Sequence, residues 1–137
     1  MCLTRRYRFP AAHVLASPAL SPEENRRVYG RCANPAGHGH DYGVEVTLTG
    51  PVDPRRGEII DRGVLDAIVE ERVLRRFGHR LLNDDPLFRE RVPTAENIAR
   101  AIYEGLEPAV AAAGSARLLG VRLQETRRNF FSYGELR

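Results

Sequence analysis

Two histidines separated by a single glycine, His38 and His40, enter a segment in which apolar and polar residues alternate. Side chains two apart leave the same face of a strand, so both imidazoles project together and can grip one metal ion. A thiol, Cys32, lies just upstream in Cys32-Ala33-Asn34-Pro35-Ala36-Gly37, and a third histidine closes the run Phe9-Pro10-Ala11-Ala12-His13. Three neutral imidazoles that leave a fourth position open make a catalytic zinc arrangement, whereas a structural site closes its shell, usually with thiolates. The same donors also suit iron, nickel or copper. The plain structural alternative is that His38 and His40 are hydrogen-bonded strand-end residues. Cys32 reads either as a small buried hydrophobe or as a thiolate favoured beside a metal, able to act as base or nucleophile. Were it to ligate directly, it would close the shell.

Two further residues invite chemistry. His79, the fourth and last histidine, follows a helical segment in Phe77-Gly78-His79-Arg80. It suits a helix C-terminus on dipole grounds alone. Glu125 shares a strand face with Leu119, Val121 and Leu123, an unusual place for an acid. A buried carboxylate needs partners: an arginine, or a ligand edge offering two parallel N–H donors, as a pterin or purine does.

The elements that must position these groups follow from periodicity. Residues 3–13 alternate, with Leu3, Tyr7, Phe9, Ala11 and His13 on one face, which predicts a half-buried strand. A long connection, 14–37, contains Ser21-Pro22-Glu23-Glu24, a helix start that Gly30 ends about two turns on. Residues 38–49 predict a second strand, on which His38 and His40 continue the row Tyr42, Val44, Val46, Leu48. A turn at Asp53-Pro54-Arg55-Arg56-Gly57 leads to a short strand at 58–61. Asp61 caps a helix over Val64–Phe77, with Leu65, Ile68, Val69, Val73 and Phe77 as its inner stripe. Thr94 caps a second helix opened by Pro93-Thr94-Ala95-Glu96-Asn97 and closed by Pro108 and Gly114. A third long strand runs through Leu119–Glu125, and a last one spans 129–134. The order ββααββ with tight turns implies an α+β fold, a four-stranded antiparallel sheet with two helices on one face.

Composition bounds the function. A chain of 137 residues reads as one domain, 1–137, with 42% hydrophobic and 28% charged residues, ordinary for a globular protein. No apolar run is long enough for a membrane span, and the first residues carry charge where a signal peptide is apolar. Two cysteines make no disulfide framework, so a reducing, cytoplasmic setting is expected. All 21 basic residues are arginine, as GC-rich coding produces; arginine also forks onto phosphate. A net charge of +3, with no arginine–aromatic interleaving, argues against a nucleic-acid partner.

Taken in order, the motifs resemble the 6-pyruvoyl-tetrahydropterin synthase family, which includes the bacterial 6-carboxy-tetrahydropterin synthases of queuosine and other 7-deazaguanine biosynthesis. Phe9–His13 looks like the family's opening motif. Cys32–Tyr42 looks like its cysteine-to-histidine loop, in the longer spacing of pyruvoyl-type members. Asp53-Pro54 with Gly57 resembles its hairpin, Pro93–Asn97 its second-helix start, and Glu125-Thr126 its pterin-anchoring motif. The resemblance spans essentially the whole chain. It implies the tunnelling fold and a homohexamer made of two trimers, with active sites between subunits. It implies a Zn2+ ion on His13, His38 and His40, with Cys32 as catalytic base and His79 as its acid/base partner. Glu125 would grip the pterin ring, with Thr94 and Glu96 in the recognition region. The implied reaction is that of a lyase converting 7,8-dihydroneopterin triphosphate to a 6-pyruvoyl- or 6-carboxy-tetrahydropterin. One departure stands out: family members usually carry Asp where this chain has Gly78. That leaves open an altered product, or a non-catalytic pterin- or purine-binding protein on the same scaffold.

Overall fold

The computed structural model describes residues 1–136. Four strands, β1 (Cys2–His13), β2 (His38–Thr49), β3 (Arg117–Gln124) and β4 (Phe130–Gly134), form one antiparallel sheet in the order β1-β2-β3-β4. A short helix, α1 (Pro22–Tyr29), sits in the β1–β2 connection, capped by the Ser21 hydroxyl and ended at Gly30 as its sequence predicts. Two longer helices cover the sheet. In α2, an α segment Arg62–Val69 runs through a π turn, Glu70–Leu74, into a last turn, Arg75–Phe77. The other, α3, is Ala95–Ala112. The expected α+β arrangement is therefore present.

The π turn follows from the spacing of the inner residues. Val69, Val73 and Phe77 are four apart, and each such step rotates an ideal α-helix about 40° past a full turn. One wider turn takes up that drift, and all three side chains end at 1% exposure or less against the sheet. A fully buried side chain of this kind contributes roughly 1.5–3 kcal/mol.

Four expectations are corrected. Residues 58–61 form no strand: β2 already has β1 and β3 on its two edges, so it offers a returning strand no edge. The loop instead closes on itself, Asp53 N–H donating to the Glu58 carbonyl, while Ile59 and Ile60 pack on the core. Pro108 does not close α3 but lies inside it. It stands on the exposed face with Glu104, whose freed carbonyl water can satisfy, while the buried stripe continues through Leu106 to Val110. Leu119 leaves the apolar face. A bulge lets Thr47 pair with Gly120 and Leu48 with Leu118, so Leu119 is the extra residue and Leu118 takes its place in the core. The last strand begins at Phe130 rather than at 129.

The bulge demands a close approach to β4. A Cβ on Gly134 (φ 113°) would press on the Leu119 carbonyl oxygen and lie 2.7 Å from Gly120 Cα. Gly134→Ala is therefore expected to cost about 1–3 kcal/mol, read as a drop in melting temperature of roughly 5–10 °C. An unchanged melting temperature would show that the bulge relaxes freely.

The free edge of β1 matters most for the site. Residues 79–81 lie along it in parallel: His79 N–H donates to the Pro10 carbonyl (2.6 Å), and Ala12 N–H donates to the Arg80 carbonyl (3.0 Å). Pro10, which has no N–H to offer, suits an edge position.

Candidate metal and acid–base site

Register places the histidines. His13 pairs with His38 across the β1–β2 ladder, Ala11 with His40, and Phe9 with Tyr42. Partners in such a pair share a face, so three imidazoles crowd one end of the sheet. The His13 and His40 ring centroids are 4.9 Å apart, and those of His38 and His40 are 4.6 Å apart. Cys32 rides on a 3-10 turn, Gly30–Ala33, tied back to the end of β1 by Leu15 N–H donating to its carbonyl. That tie brings Sγ to 4.0 Å from His40 Nε2. The ligand atoms of His13, Cys32 and His40 all lie within 4.8 Å of one another. His38 stands beside this group, against the His40 ring, rather than inside it.

His13 is the informative member. It is completely buried, and its Nδ1 is 2.9 Å from the Pro93 carbonyl oxygen. A carbonyl only accepts, so Nδ1 carries the proton and donates. Nε2 is then a bare lone pair, and it is buried without any hydrogen-bond partner. An orphaned buried acceptor is costly, and a cation held between it, His40 and Cys32 would remove the cost. Holding a metal-binding histidine's far nitrogen with a carbonyl is also how such rings are oriented. The donor set fits a divalent metal. Sequence reasoning missed two parts of this device. Tyr42, whose hydroxyl is 3.2 Å from His13 Nδ1, was visible as the next residue on the His38–His40 face. The Pro93 carbonyl had no signal at all, because a backbone group from before α3 leaves no trace in side-chain patterns.

Electrostatics follow from burial. Desolvation lowers the pKa of His13 and His40, and neighbouring imidazoles lower it further; both favour the neutral, ligating form. Burial first, and then the charge of Glu125, raise the Cys32 thiol, so the protein alone does not favour a thiolate there. Glu125 is half-buried just after β3 and is itself raised, chiefly by burial. It feels the imidazoles of His13 and His38 and the carboxylate of Glu96, which places the start of α3 near it. The Thr94 hydroxyl serves as the α3 cap, accepting from Asn97 N–H, and Glu96 is exposed on the first turn.

His79 does not join the cluster. It is exposed, at the end of α2, in a left-handed conformation (φ 59°) that no other non-glycine residue among those described adopts. Pinned by its N–H to Pro10, it faces a shallow cavity of about 560 Å³ shared with His40 and Asp41. Cys32 is not part of that cavity's lining. Gly78 is held by geometry: a Cβ there would run into the Leu74 carbonyl oxygen at the end of the π turn.

Comparison with known proteins places this geometry. Residues 2–135 match the family described as 6-pyruvoyl tetrahydropterin synthase. A Poecilia reticulata protein named 6-pyruvoyl tetrahydrobiopterin synthase is 39% identical over 132 residues, 96% of this chain and 88% of that protein. An Archaeoglobus fulgidus protein, whose name assigns it to the 6-carboxy-5,6,7,8-tetrahydropterin synthases, is 39% identical over 69 residues, half of this chain and 55% of that protein. The structure of Caenorhabditis elegans 6-pyruvoyl tetrahydropterin synthase superposes with a TM-score of 0.89 at 36% identity, covering 98% of this chain and 94% of that one.

Proposed function

The chain belongs to the 6-pyruvoyl tetrahydropterin synthase family, and from that premise we propose that it is a zinc-dependent carbon–oxygen lyase. Its substrate is 7,8-dihydroneopterin triphosphate, and triphosphate leaves as a 6-pyruvoyl- or 6-carboxy-tetrahydropterin forms. The observation that carries the reading is the bare, buried Nε2 of His13, on a residue whose ligand atom lies within 4.8 Å of those of His40 and Cys32. His13, His38 and His40 would hold the ion, leaving Cys32 free. Zinc there supplies a Lewis-acid field that acidifies neighbouring C–H and O–H protons.

The chain's own residues do the rest. Cys32 removes a proton from the substrate side chain, and His79 returns one elsewhere, so that unsaturation moves from ring to side chain with no external electron carrier. Acid–base groups of this kind contribute about 10²–10⁴-fold each. Glu125 accepts the parallel N–H donors of the pterin edge, with Thr94 and Glu96 shaping the recognition region. His79 and Cys32 sit apart in one chain, which favours assembly into a homohexamer (a dimer of trimers) in which subunits complete each other's sites. The proposed setting is cytoplasmic, with no nucleic-acid or membrane partner.

The glycine at 78 favours a second reading, in which the product differs or the protein binds a pterin or purine without turning it over. Mass spectrometry of products from 7,8-dihydroneopterin triphosphate and zinc-loaded protein separates these. A pyruvoyl side chain marks the pyruvoyl reaction, which the relatives matched along the whole chain favour. Acetaldehyde release marks the carboxy reaction. Unchanged substrate, where a known synthase consumes it, sinks the lyase.

A further inference from the structure

An imidazole that takes and returns protons works best when an acceptor fixes its tautomer and its direction. Half of that is already built for His79. Its peptide is clamped to Pro10, and its left-handed backbone sets where the ring leaves the chain. The acceptor must come from elsewhere. Position 78 cannot supply it, since any side chain there meets the Leu74 carbonyl.

Three nearby aspartates remain. Asp85 is committed: its two oxygens accept from Arg76 at 2.8 and 2.9 Å, and Oδ1 also accepts from Leu87 N–H. Asp84 lines a different cavity, with Arg76 and Pro86. Asp41 is placed differently. It pairs across the ladder with Pro10, the residue whose carbonyl receives the His79 N–H, so Asp41 and His79 flank Pro10 on its two sides. Both line the same cavity, together with His40 and Arg80. The Asp41 side chain is 62% exposed, and its ion pair with Arg8 is a long 3.3 Å contact to one oxygen. A carboxylate so weakly held is free to serve a second partner.

We propose that Asp41 is the positioning residue for His79, its carboxylate accepting the imidazole N–H across this cavity. The kinetic consequence rests on the lyase reading above; the pairing itself does not. The experiment therefore has two arms on zinc-loaded protein. In the first, ring-nitrogen NMR at about pH 8, where an ordinary imidazole is neutral, reads the tautomer of His79, assigned through a His79→Gln variant. One tautomer is expected in the parent and in Asp84→Ala, and an averaged pattern in Asp41→Ala. An unaltered pattern in Asp41→Ala overturns the proposal. In the second, Asp41→Asn lowers kcat by about 10²-fold, with KM and zinc content held, and Asp41→Glu recovers most of it. A kcat within twofold of the parent, or a loss that tracks loss of zinc through the adjacent His40, overturns it as well. Should the parent itself fail to turn over, the lyase reading falls, and the ring-nitrogen pattern still decides the pairing.

Discussion

Cys32→Ala is expected to lower turnover of 7,8-dihydroneopterin triphosphate by about 10²–10⁴-fold while zinc stays bound. The substitution decides the role of a sulfur that sits in an ambiguous place. Sγ lies 4.0 Å from His40 Nε2 and belongs to the tight group with His13 and His40, with His38 just outside it. If three imidazoles hold the ion, His38 must complete the set and the thiol is left for chemistry. If sulfur is the third ligand, the coordination is of the kind that closes structural sites. Zinc content measured beside kcat in Cys32→Ala and His38→Ala separates the two. Metal retained with turnover lost in the first variant, and metal lost in the second, is the expected pair. The reverse pair would falsify the role of Cys32 as base. Because burial raises this thiol, its ionisation depends on positive charge reaching the site, and turnover should accordingly vanish on chelation.

His13→Ala is expected to abolish turnover and to weaken zinc at least about 100-fold, more than the loss of an outer partner typically does. The effect on stability runs in an unusual direction. In the metal-free chain, His13 buries a lone pair with nothing to bond it, a cost of roughly 1–3 kcal/mol. A bound ion lifts that cost, and the relief is part of the about 2.7 kcal/mol by which zinc stabilises the fold when its free concentration is 100 times its dissociation constant. Zinc titration should therefore raise the melting temperature of the parent by several degrees and leave that of His13→Ala where it is. An equal shift in both proteins would mean that the ion binds elsewhere.

Particular residues show what a one-dimensional reading could reach. Strand alternation put His13, His38 and His40 on core-facing positions, and the observed ladder pairs His13 with His38 directly. Period-two patterning needs no partner strand to be legible. The caps at Ser21, Asp61 and Thr94 were equally readable, because each satisfies orphan N–H groups of its own first turn. Leu119 and Pro108 were misread for one shared reason. Whether an extra residue bulges, or a lost helical bond is tolerated, depends on what lies opposite or outside. For Leu119 that is Leu48 and Thr47; for Pro108 it is solvent.

The amino-acid order by itself determined which donors this protein owns and which face of each strand carries them, since both are properties of neighbours along the chain. Only the folded chain decided that Pro93 fixes the tautomer of His13, that Cys32 rather than His38 stands in the tight group with His13 and His40, and that His79 lines a cavity with His40 and Asp41 that the thiol does not reach. Those are meetings between residues from 8 to 80 positions apart. Their distances are set by the packing of α2 and α3 on the sheet and by the two edge bonds that tie residues 79–81 to β1.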